Sequence, residues 1–171
     1  MSGTVPIIRQ AGEGERLAWA GGGVFTMKAT ASETAGALMM QEFSGERGKV
    51  TPLHLHPNED EGLYVIEGEI LVHVEGEEHR VAQGGVFVCP RGVPHAFMVT
   101  SETAHLLAWQ TPATGEAFYR EASDPVGADV GESHPPDWER LREVAARSDA
   151  IELLGPAPFN MTASASSPAE R

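Results

Sequence analysis

Cysteine and long apolar runs are both nearly absent from this sequence. Cys89 is the only cysteine in 171 residues, so no disulfide can form within the chain. No apolar stretch is long enough to cross a bilayer, and residues 1–16 lack the apolar segment of a signal peptide. We therefore expect a cytoplasmic protein whose stability does not depend on disulfides.

Basic residues are also scarce. The chain has 12 Lys and Arg against 25 Asp and Glu, its formal net charge is −13, and Lys28 and Lys49 are its only lysines. A nucleic-acid surface needs a basic stripe, and anionic membranes attract basic segments. The composition therefore argues against nucleic-acid and membrane partners, and an enzyme or a small binding protein is expected. The acidic excess by itself indicates only solubility.

The spacing of apolar residues predicts an all-β fold. The length suits one domain with a single core. Between residues 16 and 110, short apolar runs alternate with turn residues every eight to twelve positions, which is typical of a β-sandwich or barrel. Gly68 in "IEGEI" and Gly76 in "VEGEE" are each placed where a hairpin would reverse.

The pattern changes after residue 111. A short helix is expected near Phe118, and residues 137–149 carry apolar side chains at helical spacing, with Asp137 as the N-cap. The predicted organisation is an N-terminal arm (1–14), a β-barrel (15–111), an extension (112–159) with a helix at about 137–148, and a disordered tail (160–171).

Three histidines are the strongest candidates for metal ligands. His54 and His56 lie one residue apart in "LHLH", and alternate residues of a strand point to the same face. His95 follows a turn in "CPRGVPHAF" and shares a face with Phe97 and Val99. Because imidazole is a common ligand of divalent transition metals, these side chains predict a metal site.

Three consecutive acids compete for the remaining ligand position. If residues 62–67 form a strand, Glu61 shares a face with Leu63 and Val65 and enters the barrel. An unpaired carboxylate is costly there, and a metal removes that cost. Glu59 and Asp60 fall in the preceding bend, where we expect them in solvent.

The other candidate residues are weaker. His73 and His79 are expected on the exterior, His134 in a linker, and His105 near the start of a strand from which it could approach the pocket. Cys89 is expected as a buried apolar residue rather than a nucleophile, since no base lies near it in sequence. Six side chains could line a cavity or simply fill the core: Met27, Met39, Phe43, Phe87, Phe97 and Trp109.

With these residues in place, the sequence resembles the cupin family. The first cupin motif, Gly-x5-His-x-His-x3,4-Glu-x6-Gly, is matched at every position by Gly48, His54, His56, Glu61 and Gly68. The second motif, Gly-x5-Pro-x-Gly-x2-His-x3-Asn, is matched by Gly84, Pro90, Gly92 and His95, with Val99 in place of the Asn. Residues 69–83 separate the motifs, and the inferred strands extend the resemblance over roughly 16–110.

The resemblance implies a single cupin jelly-roll barrel holding one divalent metal ion on His54, His56, Glu61 and His95. Manganese, iron, cobalt, nickel, copper and zinc all suit such a donor set, so the sequence leaves the metal open. The sequence is similar to quercetin 2,3-dioxygenase-like cupins, in which the metal binds a deprotonated enol oxygen and the ligating glutamate doubles as the base. The resemblance therefore implies a dioxygenase that uses dioxygen on an enolisable or phenolic ring, with Glu61 as the base.

Two alternatives stay open, because one cupin barrel hosts many chemistries. The same metal could serve a non-oxidative isomerase, cyclase or decarboxylase, or the protein could bind a small molecule without chemistry. A thiol dioxygenase fits less well, because that group typically uses three histidines without a ligand such as Glu61. Since an open barrel has sheet edges to protect, we also expect a homodimer, with the arm and the strand "RLAWAG" adding to a neighbour's sheet.

Overall fold

The computed structural model describes residues 5–127 and 134–159, and it consists of two antiparallel sheets with two short helices. The strands are β1 (Glu15–Trp19), β2 (Val24–Ala29), β3 (Met39–Glu46), β4 (Leu53–Leu55), β5 (Asp60–Glu67), β6 (Glu69–Val74), β7 (Glu77–Ala82), β8 (Val86–Cys89), β9 (His95–Val99), β10 (Thr103–Thr111), β11 (Ser123–Pro125) and β12 (Glu152–Gly155). The helices are α1 (Glu116–Glu121) and α2 (Trp138–Ala146).

The first sheet has the order β11-β1-β2-β3-β10-β5-β8 and the second the order β12-β4-β9-β6-β7. Alternate residues of each strand point between the sheets, so β10 turns Leu106, Ala108 and Gln110 inward while the residues between them stay partly exposed. The main core lies between the two sheets. This arrangement confirms the prediction of an all-β, single jelly-roll domain.

The two glycines expected in hairpins behave differently. Gly76 does sit in the turn between the paired strands β6 and β7, where Glu75 and Gly76 both have positive φ. The prediction for Gly68 was wrong, because β5 and β6 belong to different sheets and the chain crosses between them at this residue. A Cβ at position 68 would lie 2.3 Å from the backbone oxygen of Thr103, so the crossing requires glycine.

The segment after residue 111 contributes to both sheets. Helix α2 begins after Asp137, whose side chain accepts a hydrogen bond from the backbone N–H of Arg140 (3.0 Å), as predicted for the N-cap. Its buried residues Leu141 and Val144 join the main core. Strand β12 then pairs with β4, which carries His54, so this segment helps to position the candidate ligands.

Strand β1 is paired on both sides, with β2 and with β11. The expectation that "RLAWAG" adds to a neighbour's sheet was therefore wrong, because Ser123–Pro125 already occupies that edge. Residues 5–14 of the predicted arm are described without a helix or strand, and the predicted tail lies outside the described residues. Within the described ranges, no helix is long and apolar enough to span a membrane.

Candidate metal centre

The three predicted histidines meet on neighbouring strands of the second sheet. His54 on β4 is directly paired with His95 on β9, and the centroids of their rings are 4.4 Å apart. His56 follows β4, with its ring centroid 5.2 Å from that of His54. All three side chains are buried. The strand alternation that predicted this convergence is therefore confirmed.

Each histidine uses its Nδ1 atom for a backbone carbonyl. Nδ1 of His54 lies 2.8 Å from the oxygen of Pro52, Nδ1 of His56 lies 3.0 Å from that of Ala150, and Nδ1 of His95 lies 2.9 Å from that of Val93. A carbonyl can only accept, so Nδ1 carries a proton in each ring and Nε2 is left for another partner. Hydrogen bonds of this kind, from the ring nitrogen that does not bind the metal, orient metal-ligating imidazoles in proteins.

Glu61 completes the cluster from the opposite sheet. Its Oε2 atom lies 2.9 Å from Nε2 of His95, and its Oε1 atom lies 3.8 Å from Nε2 of His56. One ligand atom from each of the four residues can be chosen so that all of them lie within 4.8 Å of one another: His54, His56, Glu61 and His95. The predicted quartet is thus brought together.

The donor set fits a divalent transition metal. Nε2 of His56 is fully buried and has no hydrogen-bond partner among the described residues, which is costly unless a metal accepts its lone pair. Three imidazoles and one carboxylate suit several first-row metals. These four residues would hold such an ion within the cluster that they form.

The charges of the cluster indicate one proton that a metal would displace. Burial, followed by the charges of His95 and His56, lowers the pKa of His54 to about 3, so this ring is neutral. Burial also opposes the charge of His95, but its contacts with Cys89 and Glu61 outweigh that effect and raise its pKa to about 10. Burial raises the pKa of Glu61, yet the hydrogen bond from His95 holds it well below its usual range. His95 therefore carries a second proton, which it donates to Glu61, and metal binding would release that proton.

The expectation that Glu59 lies in solvent was wrong. Its side chain is 0% exposed, and Oε1 accepts a hydrogen bond from the backbone N–H of Gly115 (2.6 Å). Oε2 lies 3.8 Å from Nδ1 of His56. A Cβ at position 115 would lie 2.5 Å from this Oε2 atom, so glycine is needed for the close approach. The bend is covered by the segment that follows β10, which strand periodicity alone does not reveal.

Asp60 lies closer to the surface, as expected. Its carboxylate pairs with Arg91 at 3.0 Å, and hydrogen bonds from the side chain and backbone of Arg91 lower its pKa to about 2. Of the three consecutive acids, one thus faces the candidate metal position, one supports a neighbouring loop, and one forms a surface ion pair.

Gln110 and Tyr119 are site residues that the sequence reasoning missed. Nε2 of Gln110 donates to Oε1 of Glu61 (2.9 Å) and lies 3.2 Å from the hydroxyl oxygen of Tyr119. Burial raises the pKa of Tyr119 well above its usual value, so the phenol keeps its proton. Gln110 could have been found, because it is a polar residue at an inward-facing position of the strand "AHLLAWQ". Tyr119 lies on α1, and the sequence around this helix does not indicate where it packs.

A largely apolar cavity opens beside the cluster. Of the six residues considered for its lining, Phe43 and Phe97 line it. Met27 and Met39 are core residues, and Trp109 packs over Gly62. The cavity is lined by Trp19, Gly21, Phe25, Gln41, Phe43, Lys49, Thr51, Pro52, His54, Glu61, Leu63, Phe97, Leu106, Ala108, Tyr119, Leu141, Ile151 and Leu153.

The remaining candidates lie outside the cluster. His79 is exposed beside Glu77, and His105 lies 4.0 Å from Glu42, away from the cavity. Cys89 is buried, as expected. A potential base does lie near it in the structure, because its Sγ atom is 3.2 Å from Nδ1 of His95.

The comparisons with known proteins agree with this geometry. The family model for the cupin domain matches residues 43–109, which include all four candidate ligands. Residues 43–109 thus form a cupin domain. A quercetin 2,3-dioxygenase from Bacillus subtilis is 29% identical over 155 residues, covering 87% of this cupin chain and 45% of that protein. The chain thus spans about half the length of this curated relative.

Solved structures show the same fold. An RmlC-like cupin from Shewanella frigidimarina is similar with a TM-score of 0.57 and 24% identity, over 67% of this cupin chain and 96% of that one. A predicted oxalate decarboxylase from Thermotoga maritima is similar with a TM-score of 0.54 and 21% identity, over 63% of this chain and 99% of that one.

Proposed function

We propose that this cupin is a metal-dependent dioxygenase acting on an enolisable or phenolic ring. The observation that carries the proposal is the convergence of three histidine side chains and one carboxylate beside an aromatic-lined cavity, whose wall includes His54 and Glu61. The similarity to a quercetin 2,3-dioxygenase supports it, although the chain spans less than half of that protein. The substrate would be a small planar molecule that enters this cavity.

The metal would act as a Lewis acid that lowers the pKa of a substrate hydroxyl. Once His95 has given up its Nε2 proton, Oε2 of Glu61 would be able to receive the released proton, whereas Oε1 accepts a hydrogen bond from Gln110. Tyr119, which keeps its proton, lines the cavity with a hydroxyl whose oxygen accepts from Gln110. Its own O–H would donate to a substrate oxygen and orient the ring.

The C-terminal segment would exclude water from this step. Leu141, Ile151 and Leu153 lie on the cavity wall, and Ile151 and Leu141 are buried. An apolar lid of this kind strengthens the charge interactions inside the site. The segment after residue 111 would therefore belong to the functional unit.

The test is oxygen uptake by metal-loaded protein with the flavonol quercetin, compared with anaerobic incubation. Protein purified without added metal should be loaded in turn with manganese, iron, cobalt, nickel, copper and zinc. We expect oxygen-dependent loss of the flavonol with at least one metal, and loss of that activity in Glu61→Gln. Absence of oxygen-dependent turnover of any flavonol or enolic substrate would contradict the proposal.

A non-oxidative isomerase, cyclase or decarboxylase is the second candidate. The observation that favours it is the pairing of an ionised Glu61 with a protonated Tyr119 through Gln110, which supplies a base and an acid for proton transfer. Substrate turnover under anaerobic conditions would select this candidate. Binding without turnover in either atmosphere would select a non-catalytic cupin.

We also propose a homodimer, through an edge other than the one first expected. Strand β8 is an edge strand of the first sheet, and its Val86 and Val88 are 57% and 56% exposed, next to the half-exposed Tyr64 on β5. An apolar edge of this kind invites pairing with a second copy. Light scattering should give twice the chain mass, and Val88→Lys should reduce it to the mass of one chain.

The cytoplasmic location stays a prediction.

A further inference from the structure

Lys49 is the one lysine on the cavity wall, and it lacks an acidic partner among the described residues. Its ammonium contacts the backbone oxygens of Gly21 and Val50, the second at 3.3 Å, and lies 5.8 Å from the centroid of the Phe43 ring. Burial lowers its pKa to about 7. The other lysine, Lys28, is by contrast 3.4 Å from a carboxylate oxygen of Glu42.

Placing a partly buried ammonium in a cavity wall, with two carbonyls and a ring as its partners, costs free energy because the charge is removed from water. A methionine or leucine would fill the same space without the cost of burying a charge. The surrounding carbonyl and ring dipoles favour a cation, but no anion among the described residues neutralises it. A carboxylate that enters the cavity would therefore hold the proton on Lys49 and pair with the resulting charge.

The candidate metal centre and Lys49 lie near opposite ends of strand β9. His95 at the start of β9 is paired with His54, whereas the N–H of Val99 at the end of β9 donates to the backbone oxygen of Lys49 (2.8 Å). A strand rises by about 3.3 Å per residue, so the backbone positions of His54 and Lys49 are about 13 Å apart along β9. A ligand that touches both ends must be elongated.

Gln41 adds a polar group between these two positions. It is 1% exposed, lines the cavity, and is paired with Ala108, one inward position along β10 from Gln110. Its Oε1 atom is buried without a hydrogen-bond partner among the described residues. A hydroxyl or a water molecule inside the cavity would supply the hydrogen-bond donor that this oxygen lacks.

We propose that the cavity takes an aromatic or enolic acid, whose hydroxyl lies at the metal centre and whose carboxylate pairs with Lys49. This inference rests on the proposed function only for the hydroxyl end of the ligand. The rings of Phe43, Phe97 and Trp19 would hold the planar middle of the molecule. Gln41 would accept a hydrogen bond from a further hydroxyl on the ring.

The test is equilibrium binding of 4-hydroxycinnamate and of its neutral amide, 4-hydroxycinnamamide, to metal-loaded protein without oxygen. The two probes have the same shape and differ in charge. Isothermal titration calorimetry should show the acid binding about tenfold tighter or more, which corresponds to about 1.4 kcal/mol. Lys49→Met should remove this difference, Lys49→Arg should keep most of it, and Lys28→Met should leave it unchanged.

Equal affinities of the wild-type protein for acid and amide would overturn the inference, and this comparison needs no variant that must fold. A preference for the acid that survives in Lys49→Met would also overturn it. The melting temperature separates ligand binding from a structural role, since a structural lysine would leave Lys49→Met less stable. Binding is measured without oxygen, so this test is independent of the flavonol oxidation assay. Either assay can fail while the other succeeds.

Discussion

Replacing Gln110 by leucine isolates the contribution of one hydrogen bond to the metal centre. Gln110 is fully buried, and its Nε2 atom donates to Oε1 of Glu61 at 2.9 Å. Loss of a partner that orients a ligand typically lowers metal affinity by about 10- to 100-fold. We expect a loss of this size in Gln110→Leu, because the carboxylate of Glu61 would no longer be fixed.

The same substitution should change stability little. It removes two hydrogen bonds of Gln110, to Glu61 and Tyr119, but it also removes the Oε1 atom of Gln110, which has no partner among the described residues. The bond to Tyr119 is worth about 1 kcal/mol and the bond to the ionised Glu61 about 2, and removing a buried unpaired acceptor regains about 1–3. The net change in unfolding free energy should therefore be within about 2 kcal/mol.

Competition with a chromophoric chelator measures the metal affinity, and urea unfolding measures the stability. Gln41→Leu is the matched control, because Gln41 is also a buried, inward glutamine but makes no hydrogen bond to a candidate ligand within the described structure. Its metal affinity should stay at the wild-type value. Equal losses in both variants, or none in Gln110→Leu, would refute the role assigned to this hydrogen bond.

Three further predictions concern charged side chains. Glu59→Ala should cost about 1–3 kcal/mol in urea unfolding, because it leaves the N–H of Gly115 without its acceptor, and Glu59→Gln should cost less. Hydrogen bonds from Arg9 and Thr30 lower the pKa of Glu33 to about 2, so its contribution is complete above pH 4.5 and is lost as the pH falls towards 2. Thermal melts of Glu33→Gln should therefore lose less stability than the wild type across that range. Because burial lowers the pKa of Lys49 from 10.5 to about 7, Lys49→Met should be the more stable protein at pH 7, and melts should show the difference shrinking as the pH rises towards 10.5.

The ligand quartet was predictable because its signals are local. Alternation along a strand decides which side chains share a face, so His54 with His56, and Glu61 with Leu63 and Val65, could be grouped without a structure. The spacing of the cupin motifs selected the same glutamate independently. Helix α2 and its Asp137 cap were predictable for the same reason.

The errors arose where distant segments meet. Glu59 looks like a loop residue until the loop around Gly115 covers it. Gly68 has the sequence of a turn, but whether the chain reverses or changes sheet depends on which strands pair. The closure of β1 by Ser123–Pro125 likewise depends on a contact across more than a hundred residues. Such contacts carry no periodic signal in the sequence.

The metal content of protein purified without added metal tests the central claim most directly. Elemental analysis should find about one transition-metal ion per chain in the wild type, bound by His54, His56, Glu61 and His95. Glu61→Ala and His95→Ala should lose most of it, whereas Glu59→Gln, which keeps a hydrogen-bond acceptor near Gly115, should retain it. Equal metal loss in Glu59→Gln and Glu61→Ala, or a wild-type protein that binds no transition metal even when it is supplied, would contradict the assignment.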